Sequence, residues 1–491
     1  MFMKITLIQP QKTLYGSAAE KHWSLARPFS LLFLAAAIKK HAAHSVDIVD
    51  LESGAYRNTS LQEVFQNSDS DVYGITATTF TRFEAIKIAK YLKKFRPSSR
   101  IVVGGVHFMY CPEDTLSKVP DIDVVVRGEG EIPIVEFLDA IDTGQNLREV
   151  KGISYREGSK VVHNPDQAVF EDLDTLPVYS DFTWEQYPEY LFGFPEPIPA
   201  TSVISSRGCP YKCIFCSKAG MKYRLRDAQK VVDEVEILKG QLGVEAINFL
   251  DLTFTANPRH AQAVCQEMIQ RGLGLKWWCE SRANIPLELL DIMKAAGCVA
   301  LAVGVESGSP RVLSNISKGI STDMVLAFCE KCLHLGIHVE PYFMFSHPGE
   351  TIEDVHQSLN LIYELEKRNA HCSFQPTMIF PGTEIEMIAR EQGKLPDGFS
   401  WSESYHSDLN LELGQLPNVP LFMDLLSPAD LRRILDERNL WKSVTVASRM
   451  DFKDLIMKGI EVVINGKFRT WRYLFSPRFY HHLFMNRKRQ R

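Results

Sequence analysis

Short apolar runs alternate with longer stretches of helical period through the first part of the chain. Residues 4–8, 46–50, 72–76, 101–105 and 124–127 read as strands, and residues 31–41, 83–95 and 132–141 as helices between them. That rhythm predicts a parallel, doubly wound α/β sheet over residues 1–150, of the kind that binds ligands at the carboxyl ends of its strands. The alternation resumes over residues 200–385. Strands are expected at 202–206, 246–250, 276–279, 299–305, 338–345 and 373–378, with helices at 228–242, 260–270, 287–296, 322–335 and 352–366. Six such units suit a partial (β/α)6 barrel, which presents its reacting groups on the loops after its strands.

Between the two lies a stretch, 151–199, that reads as a linker with a small hairpin turning at Glu157-Gly158. Its later aromatics, Trp184, Tyr187 and Phe192, are expected to pack, with a channel lining as the alternative. Beyond 386 the alternation stops. A mainly helical C-terminal region (386–491) is expected to cover the substrate, with a helix over 428–450 opened by Ser427 as N-cap. From 458 the tail is basic and aromatic, fit for an anionic membrane surface or a lipid-like substrate, with a solvated tail as the alternative.

Composition narrows the class. The chain has 491 residues, enough for two to four domains, and a formal net charge of −5, which gives no footprint for nucleic acid. Ten cysteines at irregular spacing do not form a secreted disulfide pattern. The start MFMKITLIQP has no signal-peptide core, and no apolar run reaches bilayer length. A cytoplasmic protein, with membrane-surface attachment as a variant, is therefore expected.

The chemistry concentrates in Arg207-Gly208-Cys209-Pro210-Tyr211-Lys212-Cys213-Ile214-Phe215-Cys216. Cys209, Cys213 and Cys216 stand in a C-x-x-x-C-x-x-C spacing on a loop leaving a strand. An iron–sulfur cube that only carries electrons takes four protein ligands, whereas three leave one iron free to bind a reactant. A zinc site would need a fourth ligand, and no Cys or His follows promptly. Buried thiols would not explain Gly208 and Pro210, which make a turn. An open cluster also needs reduced thiols, in keeping with the cytosol. The motif, with Phe215 before the third cysteine, resembles that of radical S-adenosylmethionine (SAM) enzymes, in which a [4Fe-4S] cluster binds SAM through its free iron. Upstream, Thr76-Ala77-Thr78-Thr79, Gly104-Gly105-Val106-His107 and Gly128-Glu129-Gly130 sit at strand ends and resemble the Rossmann-like cobalamin-binding domain fused to many such enzymes.

That resemblance implies cobalamin contacts at Thr76, Thr78, Gly104, Gly105, His107, Gly128, Glu129 and Gly130. The D-x-H-x-x-G loop that supplies a cobalt-ligating His elsewhere is absent; His107 is the alternative candidate, and Cys111 reads as a packed thiol. For SAM the resemblance implies Phe215, Asp251 toward the ammonium, Arg282 toward the carboxylate, Gly304 and Ser307, and Glu306 toward the ribose hydroxyls, each with a structural ion pair as the bland alternative. His347 stands where the family has a small residue, beside adenine or substrate. Cys329 and Cys332 share a helical face and read as buried packing. The implied activity is methylation of an unactivated carbon through a 5′-deoxyadenosyl radical and methylcobalamin. The alternatives are an oxidative cyclase or rearrangement enzyme with the same cofactors, and a non-catalytic cobalamin or iron–sulfur sensor. The implied partners are a small-molecule or lipid-like substrate and an external electron donor of flavodoxin or ferredoxin type.

Overall fold

The computed structural model describes residues 3–11, 28–41, 44–53, 56, 59–176, 191–193 and 197–449; Trp184, Tyr187, the side chain of Phe192 and the basic tail lie outside the described residues. The first sheet contains β1 (Lys4–Gln9), β2 (Ser45–Asp50), β3 (Val72–Thr76), β4 (Arg100–Gly104), β5 (Val124–Val126), β6 (Ile153–Glu157) and β7 (Lys160–His163), in the order β2-β1-β3-β4-β5-β6-β7. β1 to β5 are parallel, and the order turns about β1 and β3, as in a doubly wound sheet. Ile5, Leu7, Val72, Val102 and Val124 are packed on one face under the helices Phe29–His41 and Glu131–Thr143, which is why these strands read as continuous apolar runs.

One boundary differs from the sequence reading. The hairpin β6–β7, expected in a linker, extends the first sheet: β6 pairs antiparallel with β5, Val126 opposite Ile153. β5 has only three residues, and its free edge would leave ladder groups unpaired. Gly152, at φ +73°, turns the chain back onto that edge and accepts from Arg127 N at 2.7 Å.

The second sheet contains β8 (Leu191–Gly193), β9 (Pro197–Val203), β12 (Ala246–Phe249), β13 (Lys276–Ser281), β14 (Cys298–Glu306), β15 (His338–Phe345) and β16 (Ser373–Pro376), in the order β16-β15-β14-β13-β12-β9-β8. Six strands run parallel, and β8 adds antiparallel at the edge. A separate short ribbon joins β10 (Ser206–Arg207) to β11 (Arg224–Leu225). β9 begins and ends earlier than expected, so Ile204 and Ser205 lie past the strand and lead into the cysteine loop. Val303, Val305, Val339, Phe343 and Phe345 face the helices, while the alternate positions Ala302, Gly304, Glu340 and Tyr342 face the lumen. The surrounding helices start on local signals. Asp227 caps Ala228–Leu242, and Thr351 with Asp354 forms a capping box for Ile352–Lys367.

Residues 377–426 strap the two sheets together. Phe422 N bonds Thr377 O at 2.8 Å, and Ser402 N bonds the Asp114 carboxylate at 2.9 Å. Arg82, fully buried, donates to the carbonyls of Trp401 and Thr79 at 2.9 and 2.6 Å and to that of Asn418. Ser427 opens the last described helix, Pro428–Arg449, through a reciprocal bond with Asp430. Among the described residues no helix is long and apolar enough to cross a membrane.

Candidate functional site

The cysteine loop is fixed by its own backbone. Cys209 N bonds Met221 O at 3.2 Å, Cys216 N bonds Cys213 O at 3.1 Å, and Gly220 N closes on Tyr211 O at 2.9 Å. Gly208 has φ +84°, and a Cβ there would lie 2.1 Å from Lys222 O, so only glycine fits the turn into the first cysteine. The three cysteines are free thiols. Burial, opposed by a backbone bond from Lys218, raises the Cys216 thiol, and its neighbours Cys213 and Cys209 push the same way. Three sulfurs that repel one another as thiolates fit a cationic iron core. Among the described residues no three His, Cys, Asp or Glu side chains are grouped to hold a single metal ion.

A cleft of about 500 Å³ opens between this loop and the carboxyl ends of the first sheet. The first module contributes Thr76, Thr78, Gly104, Gly105, Gly128, Glu129 and Gly130; the second contributes Ile204, Arg207, Gly208, Lys218, Leu250 and Leu252. A Cβ on Gly105, at φ +88°, would meet Thr76 Oγ1 at 2.6 Å, while no atom lies within 4 Å of a Cβ built on Gly128, where a side chain would enter open space. The cleft reaches along the sheet face to Leu7, Gly74 and Val102, and most of its lining side chains are apolar.

His107 does not face this cleft. It is fully buried, with Nδ1 3.2 Å from Thr79 Oγ1 and Nε2 3.6 Å from Cys111 Sγ, and it packs edge-on against Trp401. Burial, with Arg82 nearby, holds it neutral. Its chain turns inward because Gly105 begins a short helix, Gly105–Phe108, directly after β4. The structure therefore removes His107 from the expected cobalamin contacts and makes it a core residue; Cys111 is packed as expected.

The barrel mouth collects the other predicted residues. Asp251 is buried and already engaged: Ser205 donates from N at 3.0 Å and from Oγ at 2.9 Å, and Ser206 Oγ donates as well. About one of its four lone pairs remains, enough for one further hydrogen bond. Burial nonetheless raises its carboxyl. Arg282 stacks on the Tyr211 ring at 3.8 Å, points Nη1 at Cys213 Sγ at 3.8 Å and donates to Lys318 O. Glu306 pairs with buried Lys318 at 2.6 Å, and Gly304 leaves room for that pair. Phe215 stands beside Lys318 and His347. Ser307 faces away, bonding Ser358 Oγ at 3.1 Å and capping Ser309 N.

Four residues escaped the sequence reading. Lys318 neutralises Glu306 from twelve residues away, and only the fold brings them together. Arg207 and Arg224 clamp the two modules: Arg207 pairs with Glu131 at 2.6 Å and Arg224 with Glu129 at 2.5 Å. Arg207 adjoins the cysteine motif, a signal that was available. Glu280 lines the lumen, enclosed by protein yet open to its interior; burial and then Glu306 and Glu340 raise its carboxyl to about 7. Of the six remaining thiols, Cys265, Cys279, Cys298, Cys329 and Cys332 are buried in the barrel wall, where burial pushes each above the usual thiol range, and Cys372 is buried as well.

Two domain models match these modules, the radical SAM superfamily over residues 203–362 and the B12 binding domain over 24–138. Fold and site thus define a two-module α/β enzyme class with an open-cluster loop facing a ligand-binding sheet. The chain belongs to the cobalamin-binding radical SAM enzyme family: an uncharacterized methyltransferase of Pyrococcus horikoshii is 32% identical over 364 residues, 73% of this chain and 77% of that protein. An anaerobic magnesium-protoporphyrin IX monomethyl ester cyclase of Rubrivivax gelatinosus is 28% identical over 73% of this chain, a match spanning 65% of the cyclase's length. The solved structure of TsrM from Kitasatospora setae, a radical SAM methyltransferase with cobalamin and a [4Fe-4S] cluster bound, shares the fold with a TM-score of 0.69 at 20% identity, over 92% of this chain and 90% of that one. The family's cofactors are a [4Fe-4S] cluster, SAM and cobalamin, and the thiol trio and the glycine-floored cleft fit them.

Proposed function

We propose that this chain methylates an unactivated carbon of a small-molecule or lipid-like substrate. The observation that carries the reading is the shared wall: Arg207, Gly208 and Lys218, next to the cluster cysteines, line the same cleft as Gly104, Gly105, Gly128 and Gly130. Bound there, the cluster with SAM supplies hydrogen abstraction by a 5′-deoxyadenosyl radical, and cobalamin supplies the methyl group.

In this reading Cys209, Cys213 and Cys216 hold the cluster. Arg282 takes the SAM carboxylate, and its stacking on Tyr211 beside Cys213 supports that role, since a guanidinium already oriented loses little freedom on binding. Glu306 takes the ribose hydroxyls, with Lys318 holding its carboxylate ionised and in place; Phe215 and Gly304 shape the same pocket. Asp251 anchors the end of β9 through Ser205 and Ser206, so the turn into the cysteines starts from a fixed point. Thr76, Thr78, Gly104, Gly105, Gly128, Glu129 and Gly130 form the cobalamin floor. Ile204, Leu250 and Leu252 give it an apolar ceiling, which excludes water from a radical reaction. The proposed division is a cobalamin domain over 1–150 with the hairpin added, a crossing segment to 199, the barrel over 200–385 and a covering region beyond. An external flavodoxin- or ferredoxin-type donor, a cytoplasmic location and surface contact through the tail belong to the same proposal, with no part for nucleic acid.

A cyclase without methyl transfer is the second reading, favoured by the relative named as one. Product made from methyl-labelled SAM and weighed by mass spectrometry separates them: the first expects the label in product, the second an unlabelled, oxidised product. A chain that splits no SAM under reducing anaerobic conditions would contradict both.

A further inference from the structure

The loop that carries the three cysteines is held from both modules. On the barrel side, Ile214 N donates to Ile316 O at 3.3 Å, and Ile385 N donates to Ile214 O at 3.1 Å. From the first module comes Tyr110, whose hydroxyl donates to the carbonyl of Ser217, the residue directly after Cys216. The Tyr110 ring lies against Gly382, where a Cβ would meet its Cγ at 2.5 Å, so the loop after β16 seats the ring with bare backbone.

Tyr110 is also one end of a firmly held segment. Gly105, Val106 and Met109 line the cleft. His107 and Phe108 between them are fully buried, and His107 N donates to Ala77 O at 3.2 Å. Met109 N returns to Gly105 O and Tyr110 N to His107 O, each at 3.2 Å. Residues 105–110 thus form cleft wall at one end and reach the cysteine loop at the other. After Cys216 that loop folds on itself: Ala219 N bonds Cys216 O at 3.0 Å and Met221 N bonds Lys218 O at 3.3 Å, and Lys218 and Met221 line the same cleft. The Ser217 carbonyl takes its hydrogen bond from outside this turn, from Tyr110. Hydrogen bonds in the shell around a cluster orient its ligands and set its potential. A donor on a carbonyl one peptide from Cys216 offsets the negative charge of that oxygen, which favours the reduced cluster.

We infer that Tyr110 is a positioning residue through which the first module holds the cluster loop: its O–H fixes the peptide after Cys216 and eases the entry of an electron into the cluster. The inference rests on the reading of Cys209, Cys213 and Cys216 as cluster ligands. It is tested on the full chain, reconstituted anaerobically with iron and sulfide and titrated with dithionite, with the reduced cluster read by EPR. Tyr110→Phe keeps the ring and removes the hydroxyl, and its iron per chain is expected to match wild type. At the potential that half-reduces the wild-type cluster, the ratio of reduced to oxidised cluster should fall about threefold, roughly 30 mV at 59 mV per tenfold for one electron and within the worth of one hydrogen bond. Tyr110→4-aminophenylalanine returns an N–H donor to the same ring and should restore the ratio. An unchanged ratio in Tyr110→Phe, or a fall that the aminophenylalanine variant shares, would overturn the inference. If Tyr110→Phe takes up no iron, the aminophenylalanine variant decides: iron and ratio regained support the role of the donor, and iron still absent overturns it. A wild type that assembles no cluster refutes the reading of the three cysteines and the inference with it, whereas a normal wild-type cluster with an unmoved ratio refutes the role of Tyr110 alone.

Discussion

Gly208 admits no side chain, because a Cβ there would overlap the Lys222 carbonyl and the backbone lies at φ +84°. Gly208→Ala is expected to stay folded in both sheets but to displace Cys209, so that iron per chain after reconstitution falls by half or more. Unchanged iron would show that the turn is not what seats the first ligand. At this scale the sequence announced a great deal. The cysteine spacing, Phe215, Arg282 and Glu306 could all be named in advance because each belongs to a contiguous motif. Lys318 could not, since its partner lies across the barrel mouth. The serines that hold Asp251 could not be named either, because they lie more than forty residues earlier and meet it only when β9 and β12 pair. His107 was placed on the cleft by its motif, and a four-residue helix turned it into the core.

Elements carry their own titrations. Glu350 caps the loop after β15, fully buried, with Oε1 lacking any partner. Burial raises its carboxyl from 4.5 to about 8. The folded chain therefore keeps a proton that the unfolded chain releases, and the associated stability is complete below about pH 4.5 and is lost as pH rises through about 8. Glu350→Gln should flatten this slope and raise stability at pH 9 by on the order of 5 kcal/mol, read as thermal unfolding against pH. An identical slope in the variant would show that Glu350 does not titrate as assigned. The strands themselves were legible from their apolar runs. The placement of the hairpin was not: its turn signal fixed a local shape, while the sheet it joins was chosen by the unpaired edge of β5.

Across the whole molecule, the two modules are joined at the cleft by Arg207 with Glu131 and by Arg224 with Glu129. Arg224 is almost fully buried, and removing one partner of a buried pair typically costs 3–5 kcal/mol because the other charge is left behind. Arg224→Met is expected to loosen the closure of the cleft, so that corrinoid is lost on gel filtration while the iron content holds. Retention equal to wild type would mean that the strap over residues 377–426, with Arg82 at its centre, is sufficient alone. The alternation of strand and helix made both modules readable in advance, but nothing in a linear pattern says which faces meet, and the clamp residues lie on opposite modules.

Every proposed role depends on a three-thiolate cluster and a corrin occupying the two sides of one cleft. The direct measurement is iron, sulfide and corrinoid per chain in anaerobically reconstituted protein, beside a variant with Cys209, Cys213 and Cys216 changed to alanine. The account predicts about four iron, about four sulfide and about one corrinoid per wild-type chain, with the variant losing the iron and sulfide and keeping the corrinoid. Iron that survives loss of the three cysteines, or a wild type that takes up no corrinoid, would contradict it.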